Sequence, residues 1–371
     1  MKILMLFLVV LVSLWMIPCA MAQETLPYQS PGGVKSIEDR VKQLEEAIGR
    51  QVGGEKWYDR IQISGLVEVE AGFGKTDFND PGVEDEKTSD IDLATVELAV
   101  DARIVNHVDG HVLIKYEDDD VFVDEGFITL TGSEAFSAYL IAGRQYIPYG
   151  NYDTHFITDP VTLTLGETTE GAVVAGYRVN GEMLDISIGA FNARAQEAGD
   201  DDAIESFVAA VTTQPFDGFN LGVSYTTNLA GSNSFIDEVV DPDKALDSLV
   251  CAWSAFVTYE FLERFKLIGE YVAALDNFKS GEIYNAADTR ERKPAAWNLE
   301  FGVAITETLG LAARYGGSDD GGEFLPETEY GAVLNWGLFK NTNLAFEFLH
   351  GEFENDLQET DTITAQLAVE F

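Results

Sequence analysis

The sequence predicts an all-β transmembrane fold, an antiparallel up-and-down β-barrel of about sixteen strands preceded by a short N-terminal helix. Three observations predict it. Segments of about ten residues alternate apolar and polar side chains, short turns alternate with long polar loops, and a secretory signal comes first. A sheet in lipid has to close, because lipid offers no partner to an unpaired strand edge.

The alternation is clearest in residues 362–371, TITAQLAVEF. Successive side chains of a strand face opposite sides, so Ile363, Leu367 and Phe371 share one face while Thr364 and Gln366 share the other. A soluble sheet could alternate in the same way, with its apolar face on a core. Repetition of the pattern along the chain, without helices between the strands, favours a barrel in lipid.

Composition restricts the partners. The chain has 371 residues, of which 64 are acidic and 23 basic, and its formal charge is −41. Such a protein repels nucleic acid, so we expect no nucleic-acid partner, and it attracts cations. Of the two cysteines, Cys19 lies in the signal region, which leaves Cys251 to pack within a strand as a small hydrophobic residue.

Residues 1–22 are predicted to be a signal peptide, with Lys2 before an apolar segment and Ala20-Met21-Ala22 as the cleavage site. A lipoprotein cut at Cys19 is the alternative, disfavoured because Pro18 precedes the cysteine. Residues 23–59 are predicted to be a periplasmic leader.

Within this leader, residues 34–52 are predicted to form a short helix with apolar residues at coiled-coil spacing. Two interpretations of this helix remain open. It lies on the rest of the protein, or it forms a periplasmic coiled coil that helps to hold an oligomer together.

Residues 60–371 are predicted to form the barrel. The predicted strands are 61–73, 91–104, 111–116, 121–131, 135–146, 171–178, 183–191, 204–213, 220–227, 249–261, 265–274, 297–306, 309–315, 327–336, 343–352 and 362–371. Apart from the short connection 117–120, long loops and short turns alternate between them. This parity indicates a bacterial outer-membrane barrel with its long loops outside and its N-terminal segment in the periplasm.

Aromatic residues near the strand ends fit the girdles that barrels place at the two membrane interfaces. Ordinary β-propensity explains part of this enrichment. The residues are Phe73, Tyr116, Tyr146, Phe191, Tyr259, Phe261, Tyr271, Trp297, Tyr315 and Trp336.

Assigning the apolar face to lipid leaves a set of charged and polar residues for the lumen. Mixed charge with an acidic excess suits a water-filled channel that favours cations. The alternative is a wetted lumen without selectivity. The candidate pore-lining residues are Glu68, Glu70, Glu97, Asp101, Arg103, His111, Lys115, Glu117, Asp185, Glu270, Glu300, Arg314 and Glu347.

The connection 147–167 is the least acidic of the long loops and contains Pro, Gly, Tyr and His. It could fold into the barrel as a constriction, with Tyr152, Asp153, His155 and Asp159 as candidates, or remain an external loop.

The other long loops concentrate carboxylates. Clusters at Asp118, Asp119 and Asp120, and at Asp200, Asp201 and Asp202, could bind Ca²⁺ or Mg²⁺. Neither cluster has an EF-hand pattern, so solvated charge is the favoured interpretation. No other cofactor is predicted. The four histidines show no metal-ligand motif, and no phosphate-cradling or nucleophile-elbow motif is present, so an enzyme is disfavoured.

Several segments carry a family resemblance: WYDRIQISGLVEVEAGF, NHVDGHVLIKYEDDD, GRQYIPYGNYDTHFITDP and a C-terminal aromatic residue. Together they resemble the LbtU-type siderophore porins and related outer-membrane porins. The resemblance implies a monomeric or homotrimeric barrel, uptake of ferric siderophores in the namesake, and recognition of Phe371 by the barrel-assembly machinery. General porins carry their constriction loop at the position of 147–167. A phosphate-selective porin is disfavoured, because such porins rely on lysine and arginine in the pore and this chain is poor in both.

Two function classes follow. The first is a channel for small solutes, with outer-membrane lipids around it and ferric siderophores as one candidate cargo. The second is a structural barrel that tethers the cell wall, or organises the surface through acidic loops that bind divalent cations.

Overall fold

A computed structural model describes residues 56–79, 82–133, 135–179, 183–199, 203–238, 246–283, 290–354 and 358–371. The chain divides into two units, residues 1–57 and 58–371. The predicted signal peptide and the predicted helix at 34–52 lie outside the described residues. Within the described ranges, no helix is both long and apolar enough to cross a membrane.

Sixteen strands make up the second unit. They are β1 (Ile61–Phe78), β2 (Glu86–Val105), β3 (Val108–Glu117), β4 (Asp120–Ser133), β5 (Phe136–Tyr146), β6 (Thr169–Val179), β7 (Leu184–Phe191), β8 (Ser206–Phe216), β9 (Phe219–Thr226), β10 (Ala252–Phe261), β11 (Phe265–Ala274), β12 (Ala295–Ala304), β13 (Leu309–Asp319), β14 (Thr328–Phe339), β15 (Thr342–Glu352) and β16 (Gln358–Glu370). In the described residues, two short α-helices lie between strands, α1 (Val161–Gly166) and α2 (Asn233–Glu238), and a 3-10 helix at Leu229–Gly231 precedes α2.

The strands form one closed antiparallel barrel, which confirms the predicted fold. Each strand pairs with its neighbours in the sequence, and β1 closes the sheet against β16. The closing register runs from Leu66 opposite Glu370 to Phe78 opposite Gln358. Every strand therefore has a partner on both sides, as a membrane-spanning sheet requires.

Alternation along each strand separates an inner from an outer face. On β12, Ala296, Asn298 and Glu300 are buried inside the barrel, whereas Leu299 and Phe301 are 49% and 45% exposed on its outside. The apolar residues thus cover the surface that would face lipid, and the polar residues turn inward.

The two ends of the barrel differ in their connections. One end has short turns, and the other has the connections named here L1 to L8 in chain order: 79–85, 118–119, 147–168, 192–205, 227–251, 275–294, 320–327 and 353–357. L2 is a two-residue turn in which Asp118 and Asp119 have φ angles of 51° and 64°. Aspartate tolerates this left-handed conformation better than most residues.

The β1–β2 hairpin is longer than predicted. The predicted strands ended at Phe73 and resumed at Ile91, but pairing continues through Gly74 opposite Thr88 to Thr76 opposite Glu86. These extra residues are polar on both faces, so they lack the alternation from which strands were predicted.

The long loops form a hydrophobic core inside the barrel. Leu165 of α1, Phe235 of α2, Leu229 of L5 and Phe278 of L6 are buried together with inward-facing residues of β6 to β12. Inward-facing residues of β1, β2 and β16 keep solvent exposure, among them Glu68, Glu97 and Gln366. The open part of the lumen therefore lies beside β16, β1 and β2.

Candidate functional site

L3 folds into the barrel and runs along its inner wall. The Gly150 N–H lies 3.0 Å from Ser224 Oγ on β9 and 3.1 Å from Ser254 Oγ on β10. Gly150 has a φ of 76°, a conformation that glycine adopts without strain. From this point the loop crosses the strands one after another.

Three carboxylates of the wall accept hydrogen bonds from L3. Each accepts from two neighbouring residues of the loop, through backbone N–H groups and, at Glu300, also through a hydroxyl group, and successive pairs are three residues apart. Glu270 on β11 accepts from Asn151 N at 2.7 Å and Tyr152 N at 2.9 Å. Glu300 on β12 accepts from Thr154 Oγ1 at 2.8 Å and His155 N at 2.7 Å. Glu347 on β15 accepts from Ile157 N at 2.6 Å and Thr158 N at 3.1 Å.

These hydrogen bonds supply acceptors for backbone N–H groups of L3, an irregular segment that is enclosed by the barrel. Buried N–H groups without acceptors cost free energy, and a carboxylate with several lone pairs is a strong acceptor for them. The sequence predicted Glu270, Glu300 and Glu347 to line the pore. The structure places all three beneath L3, with Glu300 entirely buried, so their charges hold the loop.

Arg314 on β13 completes the attachment. Its side chain is fully buried, and its Nε donates to Glu300 Oε1 at 3.0 Å. Nη2 donates to Thr154 Oγ1 at 2.7 Å and to the Thr158 carbonyl at 2.8 Å. Nη1 donates to Glu329 Oε1 at 3.2 Å and to the Asp159 carbonyl at 3.3 Å. This predicted pore-lining residue thus also lies beneath the loop.

Close packing fixes the side chains of this part of L3. The guanidinium carbon of Arg314 lies 4.3 Å from the centre of the Phe156 ring. His155 Nδ1 lies 3.0 Å from Glu300 Oε2, and its ring occupies space that a side chain at Gly302 would fill. Asn335 on β14 donates to the His155 carbonyl at 2.9 Å.

Across the open lumen, L3 faces an acidic wall. Glu68 and Glu70 lie on β1, where Gln366 of β16 donates to Glu70 at 2.9 Å. Lys115 on β3 forms an ion pair with Glu117 at 2.8 Å, and Glu97 lies directly opposite Lys115 in the sheet.

Asp159 and Glu167 of L3 interact electrostatically with Lys115 and Glu117. L3 and the β3 wall therefore bring charged groups within electrostatic range of one another.

Glu167 lies where L3 returns to the wall at β6. Burial, with the negative charge of Asp159, raises the pKa of its carboxyl group to about 7, although Lys115 opposes the shift. The charge of the Glu167 side chain thus changes near neutral pH.

The remaining predicted residues lie toward the short-turn end. His111 Nδ1 lies 2.7 Å from Asp101 Oδ1, and its ring stacks on Phe127. Arg103 is two pairs further along β2, opposite Asp109. Asp185 pairs with Arg178 at 3.1 Å. In L3, Asp153 pairs with Lys266 of β11 at 2.7 Å, and Tyr152 packs against the loop core.

The described residues contain no group of three or more His, Cys, Asp or Glu side chains arranged to hold a metal ion. A divalent-cation site at Asp118, Asp119 and Asp120 stays a prediction. The Asp119 carboxylate accepts the Tyr116 hydroxyl at 3.0 Å. Asp200, Asp201 and Asp202 lie outside the described residues.

The sequence interpretation missed several residues of the site. Glu329 and Asn335 are on the polar face of β14, so alternation alone could have placed them in the lumen. Ser224, Ser254 and Gly302 are small residues on inner faces, and nothing in their pattern indicates that a loop passes over them.

No family model matches the chain. A UPF0422 protein of Coxiella burnetii is 23% identical over 306 residues, which cover 78% of this chain and 64% of that protein. A UPF0422 protein of Legionella pneumophila is 24% identical over 369 residues, covering 84% of this chain and 66% of its own length. The chain thus spans slightly less than two thirds of these curated relatives.

Solved structures share the fold at low sequence identity. The outer-membrane channel DcaP of Acinetobacter baumannii matches with a TM-score of 0.59 and 12% identity, over 84% of this chain and 97% of that chain. OmpF of Salmonella typhi, in complex with daunomycin, has a TM-score of 0.58, 12% identity and the same coverage. An anion-selective porin of Comamonas acidovorans has a TM-score of 0.58 and 12% identity, over 84% and 99% of the two chains. The chain has the fold of outer-membrane porins.

Proposed function

We propose that this protein is a porin of the bacterial outer membrane, a water-filled channel for small solutes that prefers cations. The observation that supports this proposal is the cluster of carboxylates that L3 and the wall bring into electrostatic range of Lys115, namely Asp159, Glu167 and Glu117, with Glu97 opposite Lys115 in the sheet. We place the passage between these two groups, with Asp159 and Glu167 on its loop side and Glu97 and Glu117 on its wall side. A ring of carboxylates favours the entry of cations and repels anions.

The porin-like fold supports the location in an outer membrane, with lipid around the barrel. It also supports our proposal that the short turns and the N-terminal segment face the periplasm. The sequence resemblance adds ferric siderophores as a candidate cargo, assembly through recognition of Phe371, and a monomeric or homotrimeric state. These points rest on the resemblance and on the general properties of porins.

A structural barrel is the second candidate function. The buried loop core between α1, α2 and L6 favours it, because this core occupies the part of the lumen beside β6 to β12. A barrel whose remaining passage is closed would anchor or organise the surface without conducting.

Single-channel recording of the refolded chain in a planar bilayer, under a KCl gradient, tests both candidates. We expect stable current steps and a reversal potential on the cation side. The double substitution D159N/E167Q should shift that potential toward zero, whereas E263Q, at an exposed position on a short turn, should leave it unchanged. Anion selectivity would contradict the proposal, and an inserted but silent barrel would favour the structural function.

A further inference from the structure

We propose that Arg314 is the positioning residue of the passage, a buried cation that holds the Asp159 segment of L3 in the lumen. This inference deepens the proposed channel function and rests on it for its physiological meaning. Its structural basis is the set of hydrogen bonds that Arg314 makes to L3 and to the glutamates of the barrel wall.

The hydrogen-bond partners of Arg314 include three atoms of L3, namely Thr154 Oγ1 and the carbonyl oxygens of Thr158 and Asp159. The last two are the backbone atoms on either side of the position that presents the Asp159 side chain. A guanidinium group fits this task because its planar set of N–H donors reaches several acceptors in fixed directions.

The positive charge of Arg314 is balanced by two carboxylates. Glu300 and Glu329 flank the guanidinium at 3.0 and 3.2 Å, and the side chains of Glu300 and Arg314 are entirely buried. Removing one partner of a buried ion pair leaves an uncompensated charge, which the protein relieves by rearrangement, protonation or hydration. Here the nearest movable element is L3, which contributes both His155 and Thr154 to Glu300.

Arg314 contacts a different part of L3 from the other groups that hold the loop. Glu270 and Glu347 hold the loop by accepting its N–H groups, and α1 packs into the loop core. Glu347 also accepts from the N–H and the hydroxyl of Thr158, but none of these contacts involves the Thr158 and Asp159 carbonyl groups. Loss of Arg314 should therefore release the backbone from the Thr158 carbonyl group to Asp159, while Glu347 keeps the N–H side of Thr158 in place.

The experiment measures the position of L3 directly, so that it does not depend on conductance. Spin labels are placed at Asp159→Cys on L3 and Glu263→Cys on a short turn, in a Cys251→Ser background of the refolded full chain. Double electron–electron resonance then gives the distribution of distances between the two labels. We expect a single narrow distribution with Arg314, and one at least about twofold broader in R314M, because a buried carboxylate left unpaired disrupts its surroundings.

R178M is the control. Arg178 also pairs with a carboxylate, Asp185, and lies over an aromatic ring, Tyr139 at 4.8 Å, but its side chain is 44% exposed and both of these partners lie on barrel strands rather than on L3. The distribution should stay narrow in R178M. A narrow distribution in R314M, or equal broadening in both variants, would overturn the proposal.

A second variant, R314M/E329Q, tests the same proposal if R314M does not fold. R314M/E329Q keeps the formal charge of the Glu300, Arg314 and Glu329 cluster unchanged, because it removes one charge of each sign. It still lacks the donors to Thr158 and Asp159, so the same broadening is expected, and a narrow distribution would again overturn the proposal.

Reversal potentials of the unlabelled variants, which keep Asp159, then connect the loop position to selectivity. If the unmodified protein does not conduct, the proposed channel function fails, while the distance measurement still decides the role of Arg314.

Discussion

The Glu167 carboxyl group changes its charge close to neutral pH. Its pKa is raised to about 7 because burial disfavours the charged form and Asp159 lies nearby. A raised carboxyl pKa means that the group is protonated and neutral below pH 7, and charged above it. We therefore expect the cation preference of the channel to increase between pH 6 and pH 8.

Reversal potentials recorded at a series of pH values check this prediction. E167Q should remove most of the change across this range, while E263Q should retain it. A selectivity that is constant from pH 6 to pH 8 would show that Glu167 does not contribute to the passage.

The pKa of Glu354 in L8 is shifted in the opposite direction to that of Glu167: it is lowered. Glu354 accepts from Arg290 at 3.0 Å and from Arg292 at 2.7 Å, which joins L8 to L6. Partial burial opposes the shift, but the hydrogen bonds from Arg292 and Arg290 lower its pKa below the ordinary value of 4.5. A lowered carboxyl pKa contributes stability that is present above 4.5 and is lost as the pH falls through the folded-state pKa.

We expect E354Q to destabilise the loop assembly by about 1 kcal/mol at pH 7 and by much less at pH 3. Thermal unfolding at the two pH values measures the difference. E323Q, at an exposed position on L7, is the control and should have no pH-dependent effect. Equal destabilisation by E354Q at both pH values would contradict the ion-pair explanation.

At the scale of elements, the strands were predictable and the path of L3 was not. The strand positions follow from alternation, which is local and repeats on every strand. The attachment of L3 is not local, since Glu270 and Asn151 are 119 positions apart in the sequence. A glutamate on a polar strand face has the same pattern whether it faces water or binds a loop.

The inner surface of β12 is shaped to receive L3. A Cβ atom at Gly302 would lie 2.4 Å from His155 Nε2, so G302A has to displace the imidazole ring from its position beside Glu300. We expect a loss of about 1–2 kcal/mol, since a buried polar contact is strained or broken.

The matched substitution is G310A on β13, where the nearest atom to a new Cβ would be 3.9 Å away. Thermal unfolding of the two variants should separate them clearly. Comparable stability of G302A and G310A would mean that the His155 ring moves aside without cost.

For the whole molecule, two sources of the proposed cation preference have to be distinguished. The formal charge of −41 creates a diffuse negative field around the protein, whereas Asp159, Glu167 and Glu117 would act at short range inside the proposed passage. Salt screens the two sources differently. The Debye length is about 30 Å at 0.01 M salt and about 3 Å at 1 M, so the diffuse field is largely removed at high salt.

We expect the ratio of cation to anion permeability to fall as KCl rises from about 0.05 M to 1 M, but to stay above unity at 1 M, because charges that line a narrow passage are screened less than exposed ones. Reversal potentials at a fixed concentration ratio, measured at several mean salt concentrations, give this curve. D159N/E167Q should lower the value at 1 M and change the slope little, since the outer loops still carry their carboxylates. If selectivity vanishes at 1 M in the unmodified protein, the diffuse field is the filter and the carboxylates of L3 are not.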